Sequence, residues 1–335
     1  MSKSASLPDI YLSFFMFTTN LQPDNLAYRK VVVDHIKQLQ TFGYSGFEFP
    51  IAPTFGSDFS QDIQNYADLR QYLDDQGLSA VKIATNVGCT RTYDPTSPYP
   101  EQRQKALAYL KSRVDITHAL RGEIMMGPIV IPYGVFPTTD FNEPIWSDQL
   151  QDELAVRYQT AQPVLNELGI YAAQKNVKLA IEPITHWETP GPNKLSQLMD
   201  FLDGVDCKQV GVVIDSAHET LDGDGPEIFK TQVAELARQG RLHYIQVSPP
   251  DRGALHTSWI PWQSFLEPVL DVYNGPIAVE IFNAIPAFIG SLRLSRRKFW
   301  IPGEDTPNTY PSAYDIAQKA IEATQREINQ VLDLA

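Results

Sequence analysis

Polar side chains stand at the ends of four apolar segments in the C-terminal half of the chain. Glu182 and Asp215 end the first two, and Gln246 and Glu280 lie near the ends of the last two. A single acid at such a position is most simply explained by pairing with a lysine or arginine. Carboxylates gathered at one place repel one another and resist burial unless a cation compensates their charge. Their number favours a divalent metal site with oxygen ligands, which suit Mn²⁺, Mg²⁺ or Co²⁺ better than structural zinc.

Short segments rich in β-branched and aromatic residues alternate with longer amphipathic ones along the whole chain. Eight have strand character: Ile10 to Phe17, Gly46 to Ile51, Ser79 to Thr85, Glu123 to Val130, Lys178 to Pro183, Gly211 to Asp215, Leu242 to Val247 and Pro276 to Phe282. Helical periodicity marks 28–42, 60–76, 101–120, 148–175, 194–202, 226–238, 261–273 and 313–332. This alternation predicts an α/β fold, a (β/α)8 TIM barrel formed as a single domain over residues 1–335.

The barrel prediction also explains why the four polar side chains would meet. In such barrels the catalytic groups stand at the C-terminal ends of the strands, which all lie at one rim. A doubly wound open sheet is the rival architecture. It usually has a glycine-rich phosphate turn after the first strand, and the segment Phe17 to Leu21 contains no glycine.

Composition and charge exclude several classes of partner. The 335 residues include 27 Lys and Arg against 40 Asp and Glu, a formal net charge of −13, which disfavours nucleic acid and anionic membrane surfaces. No apolar run approaches the roughly 20 residues that span a bilayer. Two distant cysteines among 335 residues fit a reducing compartment, so we expect a soluble, cytoplasmic protein.

Five short segments resemble a known family. They are Glu182 to Thr189 (EPITHWET), Asp215 to His218 (DSAH), Gly127 to Ile129 (GPI), Asp251 to Gly253 (DRG) and Val279-Glu280. With these segments the chain resembles the xylose isomerase-like TIM barrel superfamily of sugar isomerases and epimerases over nearly its whole length. Within that superfamily it is most similar to the D-tagatose/D-psicose (D-allulose) 3-epimerase group.

The resemblance implies a set of site residues. Glu182, Asp215 and Glu280 are implied as metal ligands, and Glu188, His218 and Arg252 as substrate contacts. The third ligand of the epimerases is usually a histidine, whereas this chain has Gln246, as hydroxypyruvate isomerase-like relatives do. Glutamine can ligate through its carbonyl oxygen. One divalent ion is therefore expected, Mn²⁺ first, with Mg²⁺, Co²⁺ and Zn²⁺ as alternatives.

These residues suggest proton transfer next to a ketone. Glu182 and Glu280 would act as the acid/base pair on opposite faces of one carbon, giving ketose 3-epimerisation through a cis-enediolate. An aldose–ketose isomerase and an enolate-type dehydratase need similar residues and stay open. A non-catalytic sugar-binding barrel is the alternative from another class.

Four further expectations concern the partner, the assembly, an extension and one more acidic residue. The partner is a small carbohydrate, and the relatives imply a homo-oligomer, a dimer or tetramer. A basic extension over 291–311, before the last helix, would serve as a lid, a phosphate handle or an interface. Glu48, at the end of the second strand, could hydrogen-bond within the site or make a structural pair.

Overall fold

Eight parallel strands close into one barrel. The computed structural model describes residues 7–138, 141, 143, 145, 147–283 and 299–334. The strands follow one another around the barrel in chain order, and the last pairs with the first. They are β1 (Ile10–Ser13), β2 (Gly46–Pro50), β3 (Lys82–Asn86), β4 (Ile124–Gly127), β5 (Lys178–Ile181), β6 (Val210–Asp215), β7 (Leu242–Val247) and β8 (Ile277–Val279). The predicted (β/α)8 architecture is confirmed.

Helices cover the outside of the barrel at the predicted places. They are α1 (Leu26–Gln40), α2 (Ser60–Asp75), α3 (Pro100–Ala119), α4 (Ser147–Gln174), α5 (Leu195–Asp203), α6 (Ser216–Asp222), α7 (Pro226–Arg238), α8 (Trp262–Leu270) and α9 (Ala313–Leu334). The short helix α6 was not predicted. It begins directly after β6 because the Asp215 side chain accepts a hydrogen bond from the amide of Ala217, which caps its first turn.

The last helix closes the structure as its periodicity predicts. Ile316, Ala320 and Ile328 of α9 are buried in the main core, which lies between strands and helices. Ser312 forms a capping box with Asp315, since the Ser312 hydroxyl accepts from the Asp315 amide and the Asp315 carboxylate accepts from the Ser312 amide. The capping box fixes where α9 begins, and the buried apolar residues hold the helix against the barrel.

A second, smaller apolar cluster fills the inside of the barrel. Its members come from seven of the eight strands: Tyr11, Ala84, Ile124, Met126, Ala180, Val213, Tyr244 and Ala278. On β2 the interior is filled from the neighbouring strand, because a side chain at Gly46 would lie 2.5 Å from the Tyr11 ring. Side chains two residues further along a strand point to the same face. The next interior layer, toward the C-terminal rim, is therefore fixed by residue i+2 of each strand.

Two further expectations concern the extension over 291–311 and membrane-spanning segments. Residues 291–298 of the predicted extension lie outside the described residues. In the part of the extension that is described, Trp300 forms a parallel bridge with Ser312, the residue that follows the extension. Among the described residues, no helix combines the length and the apolar character needed to cross a membrane.

Candidate active site

The layer above the apolar interior is polar. Glu182, Asp215, Gln246 and Glu280 each stand two residues after an interior residue, namely Ala180, Val213, Tyr244 and Ala278. The same spacing places Ser13, Glu48 and Asn86 in this layer on β1 to β3. All seven are buried. The four predicted metal ligands are thus brought to one rim, together with three polar residues from the first strands.

Glu182, Asp215 and His218 form the most compact group in this layer. One potential ligand atom from each lies within 4.8 Å of the other two. Nε2 of His218 is 3.3 Å from Glu182 and 3.7 Å from Asp215. The backbone amide of Thr185 donates to Nδ1 across 3.0 Å, and Nη2 of Arg252 lies 2.8 Å from Nε2. His218, expected as a substrate contact, therefore lies beside two of the predicted ligands.

Gln246 and Glu280 form a second part of the site. Nε2 of Gln246 donates to Glu280 across 3.2 Å and to Glu48 across 3.0 Å. The carbonyl oxygen Oε1 of Gln246 is buried and has no hydrogen-bond partner among the described residues. A buried oxygen without a partner is unfavourable and suits a cation.

Arg252 connects the two parts. Its Nη1 lies 3.0 Å from Asp215 and 3.3 Å from Glu280, and its Nη2 lies 3.2 Å from Glu188. The backbone of Arg252 is left-handed, with φ of 57°, which follows the tight turn after β7. The predicted substrate contacts Glu188, His218 and Arg252 are therefore adjacent to one another and to the predicted ligands.

Electrostatics separate the carboxylates into two kinds. Burial raises the pKa of Glu280 well above its usual range, and the charges of Asp215 and Glu182 add to the effect. Burial also raises the pKa of Glu182, although His218 opposes this. Burial acts on Asp215 in the same direction, but the charges of Arg252 and His218 outweigh it and hold the pKa of Asp215 below its usual value. Asp215 is thus a fixed anion, whereas Glu182 and Glu280 are suited to gain and lose protons.

A cavity of about 680 Å³ opens above this layer. That volume is within the usual range for small-molecule sites. Glu182, Glu188, His218, Arg252 and Glu280 line it, whereas Asp215 and Gln246 do not. Much of the wall is apolar: Phe15, Pro50, Ile51, Pro53, Pro128, Val135, Ile184 and Phe282.

The residues fit a divalent cation. Three buried carboxylates, Glu188, Asp215 and Glu280, contact the single guanidinium of Arg252, and a fourth, Glu182, lies beside His218. Their charges exceed what this arginine compensates. The unpartnered Gln246 oxygen adds a neutral ligand of the type that hard cations accept.

Sequence reasoning missed several residues of the site. Ser248 donates its hydroxyl to Asp215 across 2.6 Å, and Tyr133 donates its hydroxyl to Glu188. Glu48, left undecided, contacts Gln246. The two-residue alternation of Gly46-Phe47-Glu48 would have placed Glu48 at the rim. Ser248 and Tyr133 lie in connections that follow strands. In such connections no regular periodicity of the sequence predicts which way a side chain points.

Comparison with known proteins supports the fold and the family. The family described as "Xylose isomerase-like TIM barrel" matches residues 36–298. An L-ribulose 3-epimerase of Methylomonas sp. (strain DH-1) is 25% identical over 205 residues, which are 61% of this chain and 65% of that protein. A D-psicose 3-epimerase of Ruminiclostridium cellulolyticum is 23% identical over 261 residues, 77% of this chain and 80% of its own.

Solved structures of other proteins share the fold of this chain. One from Anabaena variabilis, described as a "putative sugar phosphate isomerase/epimerase", is 74% identical, covers 97% of this chain and all (100%) of its own, and superposes with a TM-score of 0.95. A D-psicose 3-epimerase with D-tagatose from Clostridium cellulolyticum H10 is 16% identical, covers 96% of this chain and 99% of its own, and shares the fold with a TM-score of 0.71. The resemblance seen in the sequence is confirmed, and the chain belongs to the xylose isomerase-like TIM barrel family.

Proposed function

We propose that this chain is a metal-dependent sugar isomerase that epimerises a ketose at C3. The observation that supports this most directly is the division among the buried carboxylates. Glu182 and Glu280 border the cavity and have raised pKa values, whereas Asp215 does not border the cavity and has a lowered pKa. Two cavity carboxylates suited to proton transfer, each directly after a different strand, are what inversion at one carbon requires.

The chain's own residues account for the proton transfers. One of Glu182 and Glu280 takes the proton from C3, and the other returns a proton to the opposite face, which inverts the centre. The reverse reaction uses the same two residues in exchanged roles. A divalent ion held by Glu182, Asp215, Gln246 and Glu280 would stabilise the negative charge that develops on the substrate oxygens. Arg252, His218 and Glu188 would orient the sugar hydroxyls.

The relatives support the same reaction. The curated relatives include an L-ribulose 3-epimerase and a D-psicose 3-epimerase, both of which act on ketoses at C3 by their names. The Anabaena protein, at 74% identity, is described as a "putative sugar phosphate isomerase/epimerase". An aldose–ketose isomerase on the same residues is the second candidate, because Gln246 stands where the epimerases usually have histidine.

The decisive experiment is incubation of Mn²⁺-loaded protein with free and phosphorylated ketoses in D₂O. NMR then shows which carbon gains deuterium. Label at C3 supports the proposal, and label at C1 or C2 shows the aldose–ketose isomerase. Absence of label from every sugar, with metal bound, would contradict both and favour a dehydratase or a sugar-binding protein. A chelator-treated sample controls for the metal.

The proposal includes the ion and the assembly. We propose Mn²⁺ as the ion, with Mg²⁺, Co²⁺ and Zn²⁺ as alternatives, and a cytoplasmic homo-oligomer, either dimer or tetramer. Elemental analysis of protein purified without added metal identifies the ion. Light scattering coupled to gel filtration measures the mass of the assembly against the 37.7 kDa of one chain.

A further inference from the structure

Glu48 is completely buried in the polar layer of the barrel and is held by residues from three other strands. Its Oε1 accepts from the hydroxyl of Ser13 across 3.0 Å and from the amide of Asn86 across 3.1 Å. Its Oε2 accepts from Nε2 of Gln246 across 3.0 Å. No lysine or arginine pairs with Glu48 in the described part of the chain. A structural ion pair, one of the two roles considered for this residue, is therefore not what the described residues provide.

The contact with Glu48 determines which end of the Gln246 amide faces the carboxylates. Nε2 of Gln246 has two hydrogens, and it lies within hydrogen-bond distance of two carboxylates, Glu48 and Glu280. Rotating the amide by half a turn would place its carbonyl oxygen against two carboxylate oxygens, which repel it. The present orientation is therefore the favoured one, and it leaves Oε1 without a partner.

An unpartnered buried carbonyl is itself unfavourable, by about 1 to 3 kcal/mol. Among the described residues, the only hydrogen bonds of the Gln246 side chain are those from Nε2 to Glu48 and Glu280, so these two carboxylates constrain the amide to its orientation. Glu280 alone does not provide that constraint, because it also faces Arg252 and is a proposed ligand itself. Glu48 does not border the cavity, and its carboxylate is fixed on both oxygens.

We propose that Glu48 is a positioning residue that fixes the Gln246 amide with its carbonyl oxygen available to the divalent ion. Glu48 touches neither substrate nor metal in this role. It acts through Gln246, as residues behind metal ligands commonly do. The inference rests on the proposed metal site. It adds to that site a residue that contacts Nε2 of Gln246, whereas the ion would be bound by Oε1 of the same amide.

The test is a double-mutant cycle on metal affinity, measured by calorimetry with Mn²⁺ alone and by the electron paramagnetic resonance signal of free Mn²⁺. In Glu48→Gln, Asn86 still donates to the new carbonyl oxygen, so the new amide nitrogen faces Nε2 of Gln246. Two donors then oppose each other, and the Gln246 amide turns. We expect Mn²⁺ affinity to fall about 10- to 100-fold in Glu48→Gln. We expect a similar fall in Gln246→Leu and no further fall in the double variant.

Two controls separate positioning from folding. Ser13→Ala removes a donor to the other oxygen of Glu48 and leaves the Gln246 contact, so its Mn²⁺ affinity should stay within about threefold. Thermal unfolding of every variant without metal shows whether each one folds. If Glu48→Gln does not fold, Glu48→Asp serves instead, because it keeps the charge and withdraws the carboxylate from Gln246.

The outcomes are distinct. Failure of the unmodified protein to bind Mn²⁺ would refute the proposed metal site and this inference with it. Binding by the unmodified protein with unchanged affinity in Glu48→Gln would refute only the role of Glu48. If the double variant loses as much Mn²⁺ affinity as the two single variants together, the role of Glu48 is also refuted. Such additive losses would show that Glu48 does not act through Gln246.

Discussion

Nη1 of Arg252 donates to Oδ2 of Asp215 across 3.0 Å inside the mouth of the barrel. The same guanidinium reaches Glu188 with Nη2, so one planar group holds a carboxylate at the end of β6 and another in the connection after β5. Both partners are buried, and the pairing keeps Asp215 ionised. The arginine is therefore part of the site's stability as well as of its chemistry.

Arg252→Lys should destabilise the protein. A lysine has one ammonium group and cannot donate to Asp215 and Glu188 in the same fixed geometry. Loss of a partner from a buried ion pair costs about 3 to 5 kcal/mol, and we expect a value near the lower end because lysine keeps the charge. Urea unfolding at pH 7 measures this loss in the free energy of unfolding. Arg238→Lys, at an exposed pair with Glu235, is the control and should change stability by less than about 0.5 kcal/mol.

Glu182→Gln and Glu280→Gln should each abolish turnover. Loss of a general acid or base lowers rates about 10²- to 10⁴-fold, and a two-base inversion needs both residues in every turnover. The measurement is initial rate with saturating Mn²⁺, together with circular dichroism to confirm folding. Glu235→Gln, on the surface of α7, should keep full activity. Full activity in both site variants would rule out the acid/base assignment.

The stability of the chain should depend on the protonation of His243, at the N-terminal end of β7. Burial, together with the charge of Lys178, lowers the pKa of His243 to about 4, against an ordinary value of 6.5. The unfolded chain therefore binds this proton first as pH falls, and stability is lost between about pH 6.5 and pH 4. The group contributes no such loss above pH 6.5.

His243→Gln should remove that dependence, since glutamine does not titrate and can still donate to the carbonyl of Lys208. Between pH 7 and pH 4.5 the unmodified protein should lose about 2.5 kcal/mol more of its free energy of unfolding than the variant. Urea titrations at the two pH values measure the difference. Identical pH profiles would show that His243 is not buried as a neutral ring.

Gly127→Ala should be more damaging than an ordinary replacement of a turn glycine. Gly127 ends β4 with φ of 125°, and an added Cβ would overlap the backbone oxygen of Val87. Backbone atoms cannot move aside as a flexible side chain does, so we expect a loss of about 3 kcal/mol or more. Gly240→Ala shares a positive φ, 68°, but meets no atom within 4 Å. It should cost about 1 kcal/mol, and thermal unfolding compares the two.

The alternation of residue types was sufficient to predict the eight strands and their helices. Apolar segments such as Gly211 to Asp215 specify buried parallel strands by local composition. The regular alternation of eight strands with helices, without a glycine-rich turn after the first strand, then favours the barrel over an open sheet. The two-residue period of a strand then fixes Glu182, Asp215, Gln246 and Glu280 to one interior layer. The strand segments and the face on which each polar side chain lies depend on neighbouring residues in the chain, and so they can be predicted from the sequence.

Contacts between distant residues were decided only by the tertiary structure. Gln246 meets Glu48 across 198 positions of the chain, and Arg252 meets Glu188 across 64. Neither pairing has a periodic signal, because each depends on how strands from opposite parts of the chain are brought together when the barrel closes. The sequence by itself determined which residue types stand at the rim. The closed barrel decided which carboxylates contact Arg252, which ones border the cavity and which ones have a shifted pKa, since burial and neighbouring charge are properties of the assembled site.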